Sequence, residues 1–300
     1  MGPALSGELS TFSTGSRTYP YFTSGDLQSH QAVVFIGGLY CGFLDPAYLI
    51  KLSEALGHIG WKLVQMHWSG AYDGFGTGSL DRDRQEMSDL VTHLRANGLE
   101  KIIIMGHSTG SQDVIHYLSS SDPVALVEGG IMQAPASDRE FFTSETGDTQ
   151  GWKEQLRIAE ELIKEGKGDE IVDKAFCKAI GARMTAYRVH SLVGIGQVMT
   201  APGDDDYFSS DLPWEDDGEH AHPLSASFGK LSAPALVLYS EKDEYGRLPD
   251  KTATLKSWEK AANGKLTAKI IEGADHAVTG ELERENLCTE VVGWLKSTTK

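Results

Sequence analysis

The sequence predicts an α/β domain built on a mostly parallel, doubly wound sheet. Three observations carry this. From about residue 31, short β-branched runs alternate with stretches whose apolar residues recur at helical spacing. One run, Lys101 to Met105, is almost wholly apolar, as a strand covered on both faces must be. That run passes through Gly106-His107-Ser108-Thr109-Gly110 directly into an amphipathic segment, the strand–turn–helix context of G-x-S-x-G.

The elements follow in order. Val33-Val34-Phe35-Ile36 reads as a strand ending in Gly37-Gly38. Asp45-Pro46 predicts a helix with Asp as N-cap and Pro at its first position, and Leu49, Leu52, Leu56 and Ile59 supply its apolar face. Leu63 to Met66 is the next strand, and Leu80, Met87, Leu90, Val91 and Leu94 mark a second helix. Val127 to Met132, Ala235 to Tyr239 and Ala268 to Ile271 continue the strands. A helix near Lys251 to Ala262 lies between the last two, and Glu281 to Leu295 closes the pattern.

Two regions break the rhythm. Residues 1–30, rich in Ser, Thr, Gly and Tyr, suit an edge hairpin. Residues 136–230 form a long insertion with a helix over Gln155 to Lys164, stopped by Gly166, and a further helical course from Ala179 to Val198. Insertions of this length carry their own structure or a function. The expected organisation is therefore a core of residues 1–135 and 231–300, with 136–230 as a cap over the sheet's C-terminal edge.

Charge narrows the partners. The 27 Lys and Arg against 43 Asp and Glu give a formal net charge of −16. That sign opposes nucleic acid, whose phosphates need a basic face, and anionic membrane surfaces. The three cysteines, Cys41, Cys177 and Cys288, are odd in number and widely spaced, so no disulfide framework or Cys-based metal site is written here. No stretch is long and apolar enough to span a bilayer, and the first ten residues lack the form of a secretory signal. The start fits the myristoylation pattern only loosely, with Pro3 directly after Gly2. A reducing, cytoplasmic setting is the expectation.

The chemistry centres on Ser108. Gly106 and Gly110 allow the sharp turn that lifts the serine above the sheet, and the helix N-terminus behind it favours developing negative charge. A serine hydroxyl needs a general base, and the base an orienting carboxylate. In this architecture both follow the serine, acid first, each just beyond a strand. His276 alone among the ten histidines has the required order and position. Asp243, after Leu236 to Ser240, is the favoured acid, with Glu241 and Glu244 as neighbouring alternatives. His107 is expected to pack behind Ser108. The oxyanion donors are assigned to the N–H groups of Thr109 and Leu39, with Gly38 as the alternative to Leu39. Gly74 to Gly78 lacks a phosphate-loop pattern and is expected to border the pocket. His220 and His222 lack metal-ligand spacing. Asp204 to Glu219 holds eight acidic residues and no basic one. It suits a solvated surface, or a field for a cationic substrate involving Asp204, Asp205 and Asp206. No cofactor or metal is called for.

Four segments together carry a resemblance: Phe35 to Leu39, Gly74 to Asp81, Gly106 to Gly110 and Asp204 to Leu212. The chain, over roughly residues 20–298, resembles a fungal family of α/β-hydrolases, mostly uncharacterised, that includes intracellular esterases of fusarinine-type siderophores. The resemblance implies an α/β-hydrolase fold with a helical cap and a Ser108–His276–Asp243 triad. It implies as substrate a hydroxamate siderophore joined by ester bonds, whose hydrolysis releases iron. Fusarinine C carries free amino groups and its iron complex is cationic, which suits the acidic protein. A lipase, thioesterase or acyltransferase could use the same triad, although a long-chain lipase would want an apolar cap. A hydrolase-fold binding or signalling protein is the alternative outside enzymes.

Overall fold

A computed structural model of the chain describes residues 4–195, 207–208, 223–246, 248 and 250–299. The strands are β1 (Glu8–Thr14), β2 (Arg17–Gly25), β3 (Gln31–Ile36), β4 (Lys62–Met66), β5 (Lys101–His107), β6 (Gly129–Gln133), β7 (Ala235–Ser240) and β8 (Leu266–Ile271). Among the described residues they form one sheet of order β1-β2-β4-β3-β5-β6-β7-β8. From β4 to β8 every neighbouring pair in that order is parallel. The first thirty residues supply the expected hairpin, with β1 antiparallel to β2 and β2 antiparallel to β4.

Strand periodicity divides the core. Ile102 and Ile104 of β5 point to one side of the sheet, Ile103 and Met105 to the other. On the first side lie helices α2 (Leu80–Ala96), α3 (Thr109–Ser119) and α8 (Lys251–Ala261), represented by Met87, Val91, Val114, Leu118 and Trp258. On the second lie α1 (Leu49–Gly57) and α9 (Glu281–Thr298), represented by Leu52, Leu56, Leu287, Val291 and Trp294. The fold is that of an α/β-hydrolase: a mostly parallel sheet covered on both faces, its strand ends carrying the loops that follow β3, β5, β6, β7 and β8.

Helix termini follow local chemistry where a cap is present. Ser79 accepts from Arg82 N at 3.2 Å, Asp81 and Asp83 occupy the first turn of α2, and His93 and Arg95 its last. The first helix departs from expectation. It begins at Leu49, not at Pro46, with Tyr48 as N-cap and no side-chain cap. Tyr48 is fully buried against Phe35 and hydrogen-bonded to Gln133, so tertiary packing sets this start, and Pro46 serves a turn that receives Leu49 N.

Between β6 and β7 run α4 (Asp138–Phe142), α5 (Trp152–Lys164), α6 (Lys174–Ile180) and α7 (Ala186–Val193). They bury a hydrophobic cluster of their own, including Trp152, Ile163, Phe176, Met184 and Val189. The helical course expected from Ala179 onward is broken. The helix α6 stops at Gly181, whose φ of +74° closes the turn, and α7 restarts where Thr185 caps Arg188 N. Positions 196–198 of that expectation lie outside the described residues.

Candidate active site

The turn after β5 is forced by what surrounds it. Ser108 has φ 56° and ψ −126°, a left-handed conformation that a non-glycine residue holds only under tertiary constraint. A Cβ at Gly106 would lie 2.0 Å from Gly110 O, and one at Gly110 would lie 2.5 Å from Ile36 O, so neither position accepts a side chain. Two backbone bonds fix the turn: Ser108 N donates to Gln133 O at 3.0 Å, and Ser111 N donates to Ser108 O at 2.8 Å. Ser108 is thereby held half-buried at the first turn of α3, beside Gly38, whose added Cβ would meet Ser108 Cβ at 2.7 Å.

The loops after β7 and β8 bring a carboxylate and an imidazole together. His276 Nδ1 lies 2.9 Å from both carboxylate oxygens of Asp243, and the Asp243 side chain is fully buried. Asp243 Oδ1 also accepts from Tyr245 N at 2.9 Å and Gly246 N at 3.1 Å, which fixes the carboxylate's orientation. The neighbouring acids do other work. Glu244 accepts from the His276 backbone N at 3.0 Å and Glu241 from Gly273 N at 2.7 Å. The imidazole's partner is therefore Asp243. The Tyr245 ring packs edge-on against His276 at 4.6 Å and against Phe141 at 4.6 Å.

Ser108 and His276 line one cavity of about 400 Å³, together with Leu39, Tyr40, Phe141 and Tyr245. Leu39 lines it, Gly38 packs against Ser108, and Thr109 opens α3 as a buried residue. Thr109 Oγ1 donates to Asp138 Oδ2 at 3.3 Å and Gln112 Nε2 donates to the same oxygen at 2.7 Å, tying α4 to the elbow. His107, expected behind the serine, is buried against Tyr48 and His276 and lines the same cavity as Ser108. Burial, aided by the nearby His276, lowers its pKa to about 3 against the opposing bond from Gln133.

Other expectations fare differently. Gly74 to Gly78 does not line this cavity. It belongs to a 3-10 turn over Tyr72–Thr77 in which Gly76 packs against the chain at Arg183, and Gly76 O accepts from Thr185 N. Its reach to the cavity is indirect, through Phe75 against Tyr40 at 4.7 Å. Asp204, Asp205, Asp206, His220 and His222 lie outside the described residues. Sequence reasoning missed Tyr245, Phe141, Asp138 and Gln133. Tyr245 had a faint signal, an aromatic two residues past a strand-end acid. For the others, only the fold shows what they touch.

The family model described as a protein of unknown function, DUF1749, matches residues 1–296. The chain belongs to the DUF1749 family. It is 27% identical over 347 aligned positions to fusarinine C esterase sidJ of Aspergillus fumigatus, covering 99% of this chain and 97% of that protein. It is 30% identical to an esterase of Emericella nidulans, over 87% of this chain and 84% of the other. Siderophore hydrolase EstB from Aspergillus fumigatus superposes with a TM-score of 0.79 at 26% identity, covering 100% of this chain and 99% of the other. This DUF1749 member is accordingly a carboxylic ester hydrolase that takes small-molecule esters. Among the described residues, no helix is long and apolar enough to cross a membrane.

Proposed function

We propose that this chain is a serine esterase that opens the ester bonds of a hydroxamate siderophore of the fusarinine C type inside the cell. The single observation that carries the mechanism is the pairing of His276 Nδ1 with Asp243 at 2.9 Å, in the cavity that the strained Ser108 enters. With Nδ1–H donated to the carboxylate, the Nε2 lone pair is free to accept the Ser108 proton. Ser108 Oγ then bonds to the ester carbonyl carbon, and the negative oxygen is received by the N–H groups of Thr109 and Leu39. His276 returns the proton to the departing alkoxide as the ester C–O bond breaks. Water, deprotonated by His276, attacks the acyl-enzyme, and Ser108 leaves with the proton. The substrate's ferric ion takes no part in these steps.

What supports the siderophore is the relatedness to a fusarinine C esterase and a siderophore hydrolase, together with the net charge of −16. An acidic protein concentrates a cationic complex around itself and speeds encounter. Residues 136–230 act as the cap, and Asp204, Asp205 and Asp206 contribute to that field. Mass spectrometry of products from a panel of ferric siderophores and simple acyl esters tests the assignment. Ferric fusarinine C is expected to be cut into linear fragments. Turnover should fall with added salt and be poorer for the N-acetylated form. Ser108→Ala should lose about 10⁴-fold or more in kcat. Wild-type-like turnover in that variant removes the mechanism, and indifference to the siderophores with activity on simple esters removes the substrate.

A further inference from the structure

Behind the cavity, one buried residue bonds both to the nucleophile turn and to the loop that carries His276. Gln133 ends β6 and is fully buried. Its main-chain oxygen holds Ser108 N at 3.0 Å and Ser111 Oγ at 2.9 Å. Its side-chain oxygen lies 3.0 Å from Tyr48 Oη and 2.6 Å from His107 Nδ1. Its side-chain nitrogen lies 3.5 Å from the main-chain oxygen of His276 and 3.4 Å from Ser240 Oγ.

The orientation of that amide follows from its partners. A carbonyl oxygen can only accept, so the amide NH₂ must face His276 O and the amide oxygen must face Tyr48 and His107. An amide oxygen can only accept in turn, so His107 must carry its proton on Nδ1. The His107 ring lies 4.9 Å from the His276 ring, centroid to centroid. During acylation His276 becomes an imidazolium; burial keeps the His107 ring neutral beside it, and the Gln133 bond, which by itself favours the charged form, decides which nitrogen of that neutral ring carries the proton.

We infer that Gln133 is a positioning residue for the proposed esterase reaction: it fixes His107 as the Nδ1–H tautomer beside the catalytic imidazole and keys the nucleophile turn and the base loop to one buried side chain. This rests on the Ser108–His276 reading of the site. A Gln133→Met variant keeps the side chain's length and removes all four of its polar contacts, while the main-chain bond to Ser108 remains. The effect should therefore fall on kcat and leave substrate binding nearly untouched.

The test is spectroscopic first. In the full chain labelled with ¹⁵N-histidine, one ring should show the Nδ1–H pattern without titrating between about pH 5 and pH 9. His107→Asn should erase that signal. An Nε2–H pattern or a titrating ring at His107 in the wild type overturns the inference, and this measurement needs no Gln133 variant to fold. In Gln133→Met the Nδ1–H pattern should be lost, and kcat on any hydrolysed ester should fall on the order of tenfold to a hundredfold with KM changed less than about threefold. An unchanged kcat, in a protein whose hydrolysis still depends on Ser108, overturns the positioning role alone. Absence of any Ser108-dependent hydrolysis by the wild type overturns the esterase reading, and the role with it, whatever the tautomer.

Discussion

The sheet's C-terminal edge and the helical stretch from Asp138 to Val193 face each other across one cavity, but they are held in different ways. Ser108, Asp243 and His276 stand on loops whose ends are fixed by neighbouring parallel strands, and backbone N–H groups lock the serine turn and the aspartate in place. The helical stretch instead packs around Trp152, which stacks on Phe142 at 4.3 Å and meets Phe176 edge-on at 5.0 Å. Phe142 is itself a cavity wall. Damage to the first region should strike the chemical step, and damage to the second should change which ester fits.

The largest expected effect lies on the sheet side. Asp243→Asn keeps the side chain's shape and disturbs the proton arrangement of His276, so kcat should fall about 10⁴-fold with little change in unfolding midpoint. Steady-state kinetics and urea melts on one preparation check both halves. A small loss, with Glu244→Gln producing the large one instead, would move the acid to the neighbouring carboxylate.

A matched pair of tryptophans then separates the two regions. Trp152 belongs to the helical cluster, whereas Trp258 of α8 stacks on Phe228 at 5.0 Å beneath the sheet. Truncating either to Ala should cost about 3–5 kcal/mol in stability. Only Trp152→Ala should also raise KM, because Phe142 loses the ring it stacks on. Equal KM changes in both variants would dissolve the distinction.

How legible the molecule was in its sequence follows the same division. The strands could be read because a parallel sheet demands runs such as Ile102 to Met105, and the strand ends then pointed to Ser108 and His276 by chain order. The sequence favoured Asp243 over Glu241 and Glu244 but did not decide the choice. It depends on which carboxylate the loop turns inward, and that is visible only in the bonds from Tyr245 N and Gly246 N. The start of α1 was misplaced because Asp45-Pro46 is a sound local cap signal that a buried Tyr48 overrides. Gln133 and Phe141 carry no pattern of their own, since a polar strand end and an aromatic helix residue acquire meaning only from the elements opposite them.

A smaller effect probes the seam between the regions. Tyr40 Oη donates to Ile180 O at 2.6 Å, joining the loop after β3 to α6 at the cavity's edge. Tyr40→Phe removes that single bond and should cost about 1 kcal/mol, read as a few-fold rise in KM with kcat nearly constant. A fall in kcat without a change in KM would place Tyr40 with the chemical step instead.

The smallest expected effect, and the one with a sign to work out, concerns Asp83 of α2. Burial raises its carboxyl pKa to about 6, outweighing the opposing charges of Arg82 and of Arg188 on α7. The folded state therefore keeps a proton on Asp83 that the unfolded chain, with an ordinary carboxyl near 3.8, has already released. Stability from this group is complete below about pH 4 and is lost as pH rises toward about 6. Asp83→Asn abolishes that loss but also leaves the two arginines without its charge, so stability at pH 7 should change by less than about 1 kcal/mol. What should change is the slope: urea melts between pH 4 and pH 6 should show the variant's stability rising more, or falling less, than the wild type's. His107, whose depressed pKa favours folding as pH rises through the same range, is present in both proteins and cancels from the difference. Parallel slopes would mean that Arg82 and Arg188 together offset the burial, leaving Asp83 with the same proton affinity in the folded and unfolded chain.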